Sequence, residues 1–154
     1  MILKTEKVIK EYTDYNGHLN VAYYVRIFDL ASDIMLDNFN MGGHSAKNDK
    51  KTTFVAEMYT IYNQEVRLGE DVETHITYVD HDKKRIHYRL SMFHKEKKYL
   101  AATNEVVSLY VDLNKRKVVE FDEDRLSLMN DFIKKNSTKF NSEKLIFTNK
   151  LKKA

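Results

Sequence analysis

The chain has 154 residues, 42% of them hydrophobic and 32% charged, and its 26 basic against 23 acidic side chains leave a formal net charge of +3. That length holds one substantial core but not two ordinary domains, and no apolar run approaches the roughly 20 residues needed to span a bilayer. The slight charge excess gives no argument for a nucleic-acid partner, and the lack of cysteine with six scattered histidines leaves neither a disulfide framework nor a zinc-ligand spacing. Residues 1–6 lack the basic, apolar and small-residue segments of a secretory signal. The expectation is a soluble cytoplasmic protein with one domain over residues 1–154, no membrane partner and no bound metal.

In chain order, residues 3–12 mix β-branched residues with lysines that discourage further pairing, which fits a strand near a sheet edge. From about 21 to 40, Tyr24, Ile27, Phe28, Ala31, Ile34, Met35 and Phe39 recur at three and four, with Arg26, Asp29, Asp33 and Asp37 turned away. This spacing predicts an amphipathic helix, capped by Asn20 and ended by a left-handed residue from Gly42-Gly43. Residues 44–51 are polar without periodicity and read as an exposed loop. The period then becomes two. Segments 53–62, 71–79, 85–93 and 99–111 read as strands, the first two joined through residues 63–70 with Gly69 at the bend, and the last three separated by hairpin-length connections. Residues 121–124 open a short helix carrying Leu126, Met129, Phe132 and Ile133 at helical spacing. The lysine-rich tail from Lys134 reads as solvated, and its apolar cluster Leu145-Ile146-Phe147 has no assigned place.

One long helix is the only large apolar surface available to cover this sheet. The class is therefore α+β, a curled antiparallel sheet wrapped around one long central helix, which is the hotdog architecture; a C-terminal helix and polar tail follow from about 121.

Unusual backbone and reactive side chains coincide at residues 12–20, just before the long helix. Asp14-Tyr15-Asn16-Gly17-His18-Leu19-Asn20 places a carboxylate, a glycine, an imidazole and two carboxamides beside the unpaired N–H groups of a helix start, which favour developing negative charge. Asp14 to Gly17 alone is also an ordinary turn composition. Its conjunction with His18, Asn20 and the helix singles it out.

The run from Asp14 to Tyr24 resembles the active-site turn of hotdog acyl-CoA thioesterases of the 4-hydroxybenzoyl-CoA thioesterase type, which follow Asp-x-x-Gly-His-x-Asn with a tyrosine shortly after. Its continuation through Asp33, together with Leu100-Ala101-Ala102-Thr103-Asn104-Glu105 and Leu109-Tyr110-Val111-Asp112, is similar to the betainyl-CoA thioesterase branch, although Tyr110 stands where that branch has histidine. The resemblance spans about residues 4–116. It implies hydrolysis of an acyl-CoA thioester, of a small or betaine-like acyl group, with no cofactor and with coenzyme A entering as part of the substrate. It implies Asp14 as nucleophile or base, Gly17 for close approach of backbone to substrate, His18 as oxyanion donor or water-orienting group, and Asn20 holding the turn or cap. It also implies Glu57 as a second acid, Glu105 near the substrate, and a homodimer or homotetramer with sites between subunits.

Other readings fit the same residues. Glu57 in an alternating strand equally fits a solvent-facing acid. Tyr15, Tyr23, Tyr24 and Tyr59 offer faces to a quaternary ammonium, although aromatic residues at such spacing more often fill a core. His44, His75, His81, His87 and His94 read as surface or structural. Rival functions are a non-catalytic acyl-CoA-binding or regulatory hotdog protein and a hotdog dehydratase or hydratase; the latter has a different histidine-centred spacing.

Overall fold

The structure is a computed structural model and describes residues 1–153. The alternating segments form one antiparallel sheet from β1 (Ile2–Lys7), β2 (Lys51–Tyr62), β3 (Asp71–His81), β4 (Arg85–His94) and β5 (Leu100–Asp112), in the order β1-β3-β4-β5-β2. A two-residue β6 (Lys117–Val118), absent from the sequence reading, pairs with the end of β5. β3, β4 and β5 meander as neighbours. β2, in contrast, crosses to the far side of β5 and becomes the second edge. The first edge is β1, as its lysines suggest, but this strand stops at Lys7 and residues 10–12 form a 3-10 turn instead of continuing it.

α1 (Val21–Asn38) packs on one sheet face. Its buried Tyr24, Ile27, Phe28, Ala31 and Met35 share a core with Ile86, Tyr88, Leu90 and Met92 of β4 and with Val106 and Tyr110 of β5. Each large side chain so buried contributes about 1.5–3 kcal/mol, which fixes the helix against the sheet without help from its own modest propensity. α1 ends differently from the sequence expectation. The left-handed residue is Asn40 (φ 54°), not the glycine pair, and the Met41 N–H returns to the Leu36 carbonyl at 2.8 Å. Gly42 has φ −84° and serves close approach, since a Cβ there would stand 2.0 Å from Asp37 Oδ1. Residues expected as a loop form α2 (Gly43–Asn48), whose Ser45 hydroxyl donates to the Lys51 carbonyl at 2.8 Å.

α3 (Glu123–Asn136) follows, and the Asp122 carboxylate before it accepts from Lys51 Nζ at 2.6 Å and from the Tyr110 hydroxyl at 3.0 Å. The remaining tail keeps most of its residues exposed, as expected, but its backbone is tied down rather than free. The sheet pleat turns Tyr59, Arg89 and Glu105 away from α1, onto the outer face, and the tail crosses that face. Its course runs from Asn141, whose N–H donates to Thr77 at 2.9 Å, past Arg89 and Glu105, to Lys150, 2.7 Å from Glu57. It closes at Lys152, whose N–H donates to Asp82 at 2.8 Å, and at Lys153, 2.6 Å from Asp80. Among the described residues no helix is long and apolar enough to cross a membrane.

Candidate active site

The 12–20 stretch is a tight loop whose two arms pair with each other. Thr13 bridges Leu19, the Asp14 N–H donates to the His18 carbonyl at 3.1 Å, and the Gly17 N–H donates to the Asp14 carbonyl at 3.1 Å. Gly17 has φ +79°, the left-handed conformation that closes the reversal at little cost only without a Cβ. The returning arm is stitched to the segment before β3: Leu19 N–H donates to the Val66 carbonyl at 2.7 Å, and His18 bridges Arg67. Asn20 then caps α1, its Oδ1 accepting from the Ala22 N–H at 2.9 Å, while its own N–H donates to the Tyr12 carbonyl at 2.9 Å. The predicted cap is present.

Within this loop the two oxygens of Asp14 differ. Oδ1 accepts from the Asn16 N–H at 2.8 Å, which holds the carboxylate over the turn. Oδ2 lies 3.7 Å from His18 Nδ1, beyond direct hydrogen-bond distance, so a water or substrate atom has room beside both groups. The Asp14 and His18 side chains keep 17% and 33% of their surface exposed. His18 Nδ1 is also 3.3 Å from the Leu19 carbonyl.

Beside His18 opens a cleft of about 200 Å³, lined by His18, Val21, Tyr24, Tyr62, Gln64 and Glu65 among others. Tyr24 and Tyr62 meet edge to face at 5.2 Å, and the Tyr24 hydroxyl donates to the Gln64 carbonyl at 3.5 Å. Burial pushes the Tyr24 phenol up to about 12, so it remains a neutral donor across the working range. At the cleft's edge the Val21 N–H has no partner among the described residues, while the first-turn donors of Ala22, Tyr23 and Tyr24 all go to Asn20. Tyr23 points elsewhere: it stacks on Tyr12 at 4.7 Å and lines an open groove with Ala22 and Arg26.

The turn thus brings Asp14, Gly17, His18 and Asn20 together, with Tyr24 in the adjoining cleft. Glu57 and Glu105 do not join them within this chain. Glu57 lies exposed on β2 and pairs with Lys150. Glu105 is 3% exposed on the outer face, with His87 Nε2 at 2.8 Å and the Ile146 and Phe147 N–H groups donating to it at 2.9 and 2.8 Å. Of the other tyrosines, Tyr15 is 97% exposed and Tyr59 lies on the outer face. Tyr62, Gln64 and Glu65 were not read as site residues from the sequence. Their only signal was an aromatic closing a strand just before the polar connection that turns out to support the loop.

The family model for the thioesterase-like superfamily matches residues 8–133, a span holding α1, the sheet strands after it and the whole of the Asp14 loop. The chain belongs to that family. It is an enzyme of the thioesterase class with a hotdog fold. A betainyl-CoA thioesterase of Pseudomonas aeruginosa is 27% identical over 115 residues, which are 75% of this chain and 72% of that protein. The L-carnitine dehydrogenase/betainyl-CoA thioesterase of Rhizobium meliloti is 28% identical over 119 residues, 73% of this chain but 23% of that much longer protein. Among solved structures, a Staphylococcus aureus protein in complex with CoA aligns at TM-score 0.83 and 24% identity, over 100% of this chain and 95% of its own. The 1,4-dihydroxy-2-naphthoyl-CoA thioesterase of Synechocystis aligns at TM-score 0.73 and 12% identity, over 83% of this chain and 94% of its own. These two likenesses carry the fold alone.

Proposed function

We propose that this thioesterase hydrolyses an acyl-CoA to the free acid and CoA thiol, with Asp14 as the catalytic carboxylate. The observation that carries this reading is the divided carboxylate: Oδ1 is tied to the Asn16 N–H and Oδ2 faces His18 at the mouth of the cleft. Oδ2 attacks the thioester carbon, giving a mixed anhydride that water then hydrolyses, or takes a proton from the water that attacks directly; in either route the carbon–sulfur bond breaks and the thiolate leaves, taking up a proton to become CoA thiol. The carbonyl oxygen gains charge as the tetrahedral intermediate forms. His18 and the free Val21 N–H at the start of α1 are the donors available to it. The chain's own groups suffice for these steps, and CoA enters only as part of the substrate.

The acyl group is assigned more narrowly to a small one bearing a quaternary ammonium. Two relatives are betainyl-CoA thioesterases, and the cleft offers the rings of Tyr24 and Tyr62, which attract a cation without a hydrogen bond, while its Glu65 is already paired with Arg67. Betainyl-CoA and its neutral isostere tert-butylacetyl-CoA separate charge from shape. The expected preference is at least about fivefold in kcat/KM for betainyl-CoA, the worth of one exposed to partly buried cation–π contact. Equal values reject the cationic acyl group, and no thiol release from any acyl-CoA rejects the function itself.

The same reading extends to a homodimer paired through β2. This edge strand exposes Phe54, Val55, Met58 and Tyr62, an apolar edge that pairing with a second copy would cover. Glu57 would then lie at the subunit boundary. Sedimentation as a monomer at micromolar concentration would contradict the pairing.

A further inference from the structure

A chamber of about 390 Å³ lies on the outer sheet face, between the strands and the crossing tail, on the side of the sheet away from α1. Tyr59, Ile61 and Phe93 give it apolar walls, and Arg89, Ser91 and Thr103 give it polar ones. Its size falls within the range of small-molecule sites, and that mixture of walls is their usual make-up. The exposed side chains of Glu143 and Lys144 stand at its tail-side rim with opposite charges.

Arg89 is the feature that points to a ligand. Its Nη1 donates to the Glu143 carbonyl at 2.8 Å and its Nη2 to the Asn141 carbonyl, while Nε is buried with no partner. A guanidinium stays charged at every working pH, yet among the described residues no carboxylate lies at ion-pair distance from this one. The acid opposite it in the β4–β5 register, Glu105, has its oxygens taken by His87 and by the Ile146 and Phe147 N–H groups. A cation on the chamber wall that is satisfied only by neutral carbonyls lacks an anion.

We propose that this chamber is a second ligand site, taking a small carboxylic acid with an apolar body. The carboxylate sits on Arg89 and the hydrocarbon lies over Tyr59, Ile61 and Phe93. The tail forms one wall, so a bound acid also fastens residues 141–146 to the sheet. The site is separate from the Asp14 loop, and its occupancy does not depend on which thioester that loop hydrolyses.

Hexanoate and its neutral counterpart hexanamide are the probes, titrated into the isotope-labelled full chain and followed by amide chemical shifts. Saturable shifts are expected along residues 89–93 and 103–105 and in the tail. Hexanamide, Arg89→Gln and Thr103→Leu should each weaken binding at least about tenfold, the loss that follows from removing a charged hydrogen bond or filling the space. Thr103→Leu matters because it narrows the chamber while leaving Arg89 and its tail contacts in place. The proposal is overturned if hexanoate does not saturate, if its shifts fall on residues 12–20, if hexanamide binds equally, or if only Arg89→Gln loses binding, since that last result means a displaced tail rather than a filled site.

Discussion

Asp14 and Gly17 divide the work of the loop between charge and backbone. Gly17 has open space around its Cα, with nothing within 4 Å of an added Cβ, so substitution there meets no steric clash. Its positive φ is the whole constraint. Gly17→Ala is therefore expected to cost about 1 kcal/mol of stability, from the left-handed backbone alone, and Gly17→Asn appreciably less. Chemical denaturation of the two variants checks this, and equal cost for both would mean that side-chain bulk, not φ, is what the position resists. The sequence exposed this residue because a glycine between asparagine and histidine in a glycine-poor chain has few other reasons to be there. It did not expose the unequal roles of the two Asp14 oxygens, which depend on the Asn16 N–H folding back onto Oδ1.

α1 links the loop to the core. Its first turn is fixed by Asn20, whose side chain and carbonyl take the Ala22, Tyr23 and Tyr24 N–H groups. Asn20→Ala is expected to lose about 1 kcal/mol, within the usual span for caps, and to lower kcat by loosening the register between Asp14 and the helix start. Denaturant midpoints and initial rates measure the two effects, and unchanged values for both would remove Asn20 from the account. α1 was legible because its apolar positions repeat at helical spacing and bury on one face. α2 was not: His44, Ser45, Lys47 and Asn48 show no apolar stripe, and the turn is held by tertiary contacts, Ser45 to Lys51 and Arg125 to Asp49. β1 misled in the opposite way, since β-branched Ile9 continues the strand pattern after the backbone has left the sheet for a 3-10 turn. The tail was illegible because its anchors, Glu57, Asp82 and Glu105, lie 41 to 93 positions away in numbers that no local pattern links.

Some phenols are buried in the fold while others, such as Tyr15, stand in solvent. Burial raises Tyr24, Tyr78 and Tyr88 to about 12 in the folded state, from 10.0 when free, and raises Tyr110 still further. Below pH 10 both folded and unfolded chains keep these protons, and the contribution to stability is intact. Between about 10 and 12 only the unfolded chain releases them, so stability falls as pH rises through that window. Spectrophotometric titration should show these phenols ionising only as the fold is lost. Smooth ionisation of all ten tyrosines near pH 10 with the fold intact would contradict the burial described here. Both faces of the sheet are covered: α1 packs on the inner one and the tail crosses the outer one.

Under the proposed function, hydrolysis runs through the Asp14 carboxylate. Asp14→Asn keeps an Oδ1 that accepts from the Asn16 N–H, so the loop can persist while the charge is lost. Thiol release from an acyl-CoA by the wild type and by this variant, at matched folded concentration, is the direct measurement. A fall in kcat of at least about a hundredfold with the melting behaviour retained is expected; equal turnover by the two proteins would rule out Asp14 as the catalytic carboxylate.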